Sequence, residues 1–333
     1  MQLNRANTQL AAVVPDALTF QSRFRQCDEA HSMAGTPPHV WLLYLAGGVV
    51  LAGGLLASWK DLLDAPLADK LLLIGPLFFA IPLALFGAQH FVQTAAIMGL
   101  MPRWIPAHLF FVLLVGACLI AAGLSIATRI HSGLAAFLVA VMFVCFEALM
   151  IIPGAVADPR NRFSWVIVLR EFTFCAGALA IAAARKQMWS ERAINAARTF
   201  VRLELGVALV FFAIQQFLYP AHVPGVPLEL ITPAWIPGHS IWCYVTGAVY
   251  VVAGICLIAD RRARTAAIAA GAMLLILIFA IYLPMLIAKP LDIEAIDYFF
   301  DTLLFSGSVL AVARIQSRAA ATRHALDTRS TAA

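Results

Sequence analysis

Glu147, Arg170 and Glu171 fall inside apolar stretches long enough to cross a bilayer. At the centre of such a helix a charged side chain costs about 2.5 to 3.5 kcal/mol on insertion scales, so it calls for a partner or a function. Carboxyl groups held among apolar side chains beside a guanidinium suit proton transfer and hydrogen bonding to a buried ligand. Gln89, His90 and His108 extend this first set, and Gln215, Gln216, His239, Tyr282, Asp297 and Asp301 form a second set farther along the chain. Glu147 lies six residues before Pro153 and Arg170 six residues after Ser164. With a rise of about 1.5 Å per residue, both sit about 9 Å below the same ends of consecutive helices. The spacing therefore predicts an ion pair between Glu147 and Arg170. Arg170 and Glu171 project about 100° apart on one helix and are not expected to face each other.

The elements that must position these groups follow from composition. Of the 333 residues 62% are hydrophobic and only 12% charged, with mean hydropathy +0.87. Soluble globular chains run near 45–50% apolar and about 25% charged, so a water-soluble fold is excluded. Nine apolar segments have the length a bilayer requires of a helix, near 40–58, 71–91, 106–128, 132–153, 164–184, 201–219, 238–259, 264–285 and 296–314. Lipid leaves backbone groups no water, so each segment must satisfy its own hydrogen bonds as a helix. The expected class is all-α, a polytopic transmembrane helix bundle.

The chain also repeats itself. Trp104-Ile105-Pro106-Ala107-His108 recurs 131 positions later as Trp235-Ile236-Pro237-Gly238-His239, and Gly116, Gly123 and Pro153 match Gly247, Gly254 and Pro284 at the same spacing. A tandem duplication accounts for this. The expected layout is a polar tail over 1–37, an extra transmembrane helix over 38–59, four-helix repeats over 69–186 and 196–315, and a basic tail over 316–333. Four spans per repeat make the two copies parallel. Glu171 aligns with Asp301 if one residue is deleted after Pro290, and Gln89-His90 aligns with Gln215-Gln216; Glu147 aligns with Ile278. The ion pair, and with it any activity, is expected in the first copy alone.

Basic residues orient the bundle. Lys60, Lys70, Arg129, Arg185, Lys186, Arg192, Arg198, Arg202, Arg261, Arg262, Arg264 and Arg314 collect on one side, whereas Arg103, Arg160, Arg162 and Lys289 lie on the other. By the positive-inside rule the first side, with the carboxyl terminus, is cytoplasmic. The net charge of +5 is spread between spans rather than over one face, which argues for orientation and against nucleic acid. The six cysteines form no Cys-x-x-Cys pair and read as buried, inert thiols. No metal site is expected, and the histidines read as hydrogen-bonding or helix-capping groups rather than haem ligands. No phosphate loop, zinc-protease motif or serine elbow is present, so no catalytic residue is assigned and no complete soluble-type active site is expected.

The repeated unit resembles the DoxX-like family of bacterial four-helix membrane proteins. The resemblance rests on Gly87-Ala88-Gln89-His90-Phe91, Pro102-Arg103-Trp104-Ile105-Pro106, the helix from Gly116 to Gly123, and Arg170-Glu171 leading into Cys175-Ala176-Gly177-Ala178-Leu179-Ala180. It covers about 71–184 and again, less fully, 201–314. Family members often carry glutamate where this chain has Gln89, which cannot shuttle protons. The resemblance implies a bacterial inner-membrane subunit associated with quinone-linked or redox-defence systems, working with a redox partner protein. No resident cofactor is expected; a quinone is the ligand it points to. Two other readings stand beside it: a small-solute transporter or exporter, and a structural or assembly protein with no ligand.

Overall fold

The computed structural model describes residues 39–185 and 189–330, with side-chain positions except at 67–68 and 317–330. The polar tail expected over 1–37, Cys27 and the last three residues lie outside the described residues. The helices are α1 (Trp41–Asp64), α2 (Leu67–Val92), α3 (Thr94–Leu100), α4 (His108–Thr128), α5 (Ser132–Phe146), α6 (Ile152–Ala157), α7 (Arg162–Ala183), α8 (Glu191–Leu218), α9 (His239–Ile258), α10 (Ala263–Leu277), α11 (Leu283–Ala288) and α12 (Ile293–Ser330). Single π-helical turns, Glu147–Ile151 and Ile278–Tyr282, join α5 to α6 and α10 to α11. Among the described residues nine helical segments are long and apolar enough to span a membrane. The protein is an all-α polytopic bundle.

Loops at 101–107, 158–161, 219–238 and 289–292 gather at one end, the long-loop end; the turns at 129–131 and 259–262 lie at the other, the arginine end. Four helices, α2, α7, α8 and α12, occupy the middle. There α12 packs on α2 and α7, and α7 packs on α8, while α4, α5, α9 and α10 lie outside them. The extra helix α1 lies against α2 and α4, with Tyr44 Oη donating to the Pro290 carbonyl at 2.5 Å.

Local geometry recurs at the spacing of 131. Ala107 and Gly238 are both left-handed, as are Arg129 and Asp260, and His131 and Arg262. The helices α4 and α9 thus start at His108 and His239, two residues after Pro106 and Pro237, once the residue between has turned the chain. Asn161 caps α7 by accepting from the Phe163 N–H at 3.0 Å, and Asp292 accepts from the Glu294 N–H at 3.0 Å. A proline cannot donate to the preceding turn, and Pro153 and Pro284 each follow a π turn that relaxes the helix around the missing bond.

The seam between α7 and α12 is built from equivalent positions. Arg170 faces Asp301, the Phe174 and Phe305 rings meet edge-on at 6.3 Å, and a Cβ added at Gly177 would lie 2.5 Å from Ser308 Cβ. Each pair is separated by 131. This register sets Arg170, not Glu171, opposite Asp301, because helix starts and caps stay in step and no residue is lost after Pro290. Gly177 matters here because backbones this close leave no room for a side chain.

Three expectations about elements change. Helix α8 starts at Glu191 rather than near 201, because its first turns are amphipathic and hydropathy under-reads them. Helix α12 runs through to Ser330, so most of the expected basic tail is helical. Cys118 and Cys145 are exposed rather than buried, lying on the outward faces of α4 and α5, whereas Cys175 and Cys243 are buried. Trp104 and Trp235 are exposed at the long-loop end, as anchors at a membrane surface would be.

Candidate functional site

Arg170 is the central cation. Its Nη2 lies 2.7 Å from Glu171 Oε1 and its Nη1 3.3 Å from Asp301 Oδ1, with Phe174 beneath the guanidinium. The expected Glu147–Arg170 pair is therefore replaced by an Arg170–Glu171–Asp301 cluster spanning the α7–α12 seam. Equal depth brought Glu147 and Arg170 level, but Arg170 sits on the face of α7 turned to α12, and its long stem lets it wrap back to Glu171 despite the 100° offset. Nor does the first half hold the ion pair alone, since Asp301 lies in the second half of the chain.

Toward the long-loop end Asp297 accepts from Gln89 Nε2 at 3.0 and 3.2 Å, and Gln89 also donates to Gln93 Oε1 at 2.8 Å. Toward the bundle middle stands Glu147, with 1% of its surface exposed and no hydrogen-bond partner at either carboxyl oxygen. It is the first residue of its π turn, whose closing bond runs from the Ile152 N–H to the Glu147 carbonyl. Such turns often occur at functional sites, because the extra residue re-aims a side chain. The charged groups acting on Glu147 are Glu171, Arg170 and Glu204.

Glu204 lies midway along α8, on the arginine side of this set. Its Oε1 accepts from Thr173 Oγ1 at 3.1 Å, and its Oε2 has no partner. It was overlooked in the sequence because a span starting at 201 places it at a helix end; with α8 starting at Glu191 it is central. Asp297, Asp301, Glu171, Glu147 and Glu204 thus follow one another from the long-loop end to the middle of the bundle, with Arg170 as the cation among them.

The remaining residues of the two sets do other work. His90 Nδ1 donates to the Phe86 carbonyl at 2.7 Å and His108 Nε2 to the Pro102 carbonyl at 3.1 Å, the backbone bonding expected of them. His239 is exposed at the first residue of α9. In the second half Gln216 Nε2 donates to the Gly225 carbonyl at 3.1 Å, and Tyr282 Oη to the Pro224 carbonyl at 2.6 Å. Tyr298 Oη accepts from the Leu230 N–H at 3.1 Å, and Gln215 is buried beside Gln216 with its Oε1 unbonded. These bonds hold the loop over 219–238 down on the bundle.

Arg162, at the start of α7, pins the same loop from the first half. Its Nη1 donates to the Pro227 carbonyl at 2.9 Å, its Nη2 lies 3.0 Å from His222 Nε2, and its guanidinium stacks over Tyr219 at 4.5 Å. Arginine only donates, so His222 Nε2 must accept, which requires a neutral imidazole. Burial first, and the Arg162 charge second, hold His222 below its ordinary pKa.

Among the described residues no group of three or more His, Cys, Asp or Glu side chains is arranged to hold a metal ion. No protein-family model, curated protein or solved structure matches the chain.

Proposed function

We propose that the protein is a duplicated, DoxX-like accessory of a membrane redox system, and that it holds the polar head of a quinone or similar lipid-soluble carrier against Glu147. The reading places it in a bacterial inner membrane with the arginine end and carboxyl terminus cytoplasmic, beside a redox partner protein. One observation carries the proposal: Glu147 is buried in the bundle with both oxygens unbonded. Burying an ionised carboxylate without donors costs several kcal/mol, so the position asks for a proton or a ligand donor. The O–H of a reduced quinone is such a donor. Asp297, Asp301 and Glu171 then offer proton-exchanging groups between the long-loop end and the ligand. Arg170, already held by Glu171 and Asp301, acts as the fixed counter-charge and joins the two halves.

The test is mass spectrometry of organic extracts from protein purified in mild detergent, comparing wild type, Glu147→Gln and Tyr282→Phe. The expected result is a stoichiometric quinone in wild type and Tyr282→Phe and about tenfold less in Glu147→Gln, the effect of one lost charge-assisted hydrogen bond. Bulk phospholipid alone, equal in all three, overturns the reading.

A further inference from the structure

At the arginine end, remote from Glu147, a partly enclosed cavity of about 50 Å³ lies among α1, α2, α7, α12 and the α4–α5 turn. Its polar lining is Ser58, Arg129, Ser132, Arg185 and Arg314, above a floor of apolar side chains that includes Leu77 and Ile181. One water needs about 10–15 Å³ by this kind of measure, so the cavity has room for a few waters or for one tetrahedral oxyanion.

Three features select for an anion. First, three guanidinium groups converge from different elements. Arg129 is held in place by Asp61 and by donating from Nη2 to Ser58 Oγ at 3.1 Å; Asp61, which Arg314 also approaches, is a carboxylate that opposes these charges. Second, α5 begins at this wall. Its N-cap, His131, is left-handed and makes no side-chain capping bond, so the first backbone N–H groups of α5 have no intrahelical acceptor and carry the positive end of the helix dipole. Third, Ser132, the first residue of α5, is 3% exposed and its hydroxyl has no hydrogen-bond partner. A buried, unbonded hydroxyl lining a cavity at an uncapped helix start is a donor waiting for an acceptor.

We propose that this cavity is a binding site for a phosphate-type anion, seated on the start of α5 and the Ser132 hydroxyl and clamped by Arg129, Arg185 and Arg314. Arginine forks match the oxygens of a phosphate group. The same end favours a membrane source: Leu56, Ile130 and Leu134, within two residues in sequence of the lining residues Ser58, Arg129 and Ser132, are exposed and apolar, surfaces against which acyl chains pack. Basic pockets between membrane helices are suited to anionic headgroups for this reason.

The full-length protein in a neutral detergent is titrated, by native mass spectrometry and thermal shift, with phosphatidylglycerol, phosphatidylcholine and inorganic phosphate. Wild type is compared with Ser132→Ala and with Arg185→Gln/Arg314→Gln, and helical content is checked by circular dichroism. Phosphatidylglycerol is expected to bind in preference to phosphatidylcholine. The double variant should bind about 30-fold more weakly and Ser132→Ala about fivefold more weakly. Saturable binding of inorganic phosphate with the same variant losses, and no lipid preference, supports the same site with a soluble ligand. Wild-type affinity for both anions in a folded double variant, or no saturable anion binding by wild type, overturns the proposal.

Discussion

The two halves of the bundle place different chemistry on corresponding turns. In the first, the π turn before Pro153 opens with Glu147, buried and unbonded; in the second, the π turn before Pro284 opens with Ile278 and ends with Tyr282, whose hydroxyl is bonded to the loop at Pro224. His90 and Gln216 end corresponding helices, yet Gln216 reaches the loop at Gly225 while His90 bonds its own helix. The second half spends its polar side chains on fastening a long loop. The first leaves an acid with both oxygens unbonded at the heart of the bundle; the unbonded atoms of the second half, such as Gln215 Oε1, Glu204 Oε2 and the Tyr250 hydroxyl, are single ones, and a carboxyl unbonded at both oxygens is the costliest of these to bury.

The largest expected effect lies on the seam that both halves share. Arg170→Leu leaves Glu171 and Asp301 buried together without their cation and should lower unfolding free energy by about 3–5 kcal/mol, read as the thermal midpoint in detergent. A drop no larger than that of a lipid-facing substitution would mean the cluster does not join α7 to α12. Next is Gly177→Val, which drives a side chain into Ser308 and should cost about 1–3 kcal/mol. Gly48→Ala, where an added Cβ meets nothing within 4 Å, is the matched control and should stay within about 0.5 kcal/mol. Tyr282→Phe follows: removing its bond to Pro224 should cost about 1 kcal/mol and raise protease cleavage in the 219–238 loop, whereas an unchanged cleavage rate would separate Tyr282 from the loop.

The smallest effect is pH-dependent. His222 titrates below its ordinary value in the folded protein and near 6.5 when unfolded, so between those values the unfolded chain binds more protons and stability rises with pH. This stability is complete above about pH 6.5 and is lost as pH falls toward the folded value. The charged groups acting on His222 are Arg162 and Glu229, and Arg162 is the stronger. His222→Gln should flatten the acid side of the midpoint-against-pH curve; an unchanged slope assigns the acid sensitivity elsewhere.

The nine spans were legible because lipid imposes length and apolarity on every crossing, and the recurrence of Trp-Ile-Pro-x-His showed where the chain returns to the same geometry. What hydropathy could not see was helix continuing through polar sequence. It therefore missed the first turns of α8, and with them the central position of Glu204. Nor does depth along a helix fix azimuth. Glu147 and Arg170 stand level, as counting residues predicts, yet Arg170 turns to Asp301 on α12. The register of that pair was hidden because matching two acids, Glu171 and Asp301, looked closer than matching an arginine with an aspartate. The π turns left only Pro153 and Pro284 as a trace. The loop fastened by Arg162 and Tyr282 left none, because most of its hydrogen bonds go to backbone groups, which carry no residue signature.

The most direct measurement is a paired one on Glu147→Gln: thermal midpoint and retained quinone in the same preparation. An unsatisfied acid kept for a ligand predicts about a tenfold loss of retained quinone and, once quinone has been extracted from both proteins, a midpoint within about 1 °C of wild type or above it, since no bond within the protein is lost. A midpoint lowered as far as in Tyr282→Phe, with quinone content unchanged, would contradict it and make Glu147 a structural residue like its counterparts in the second half.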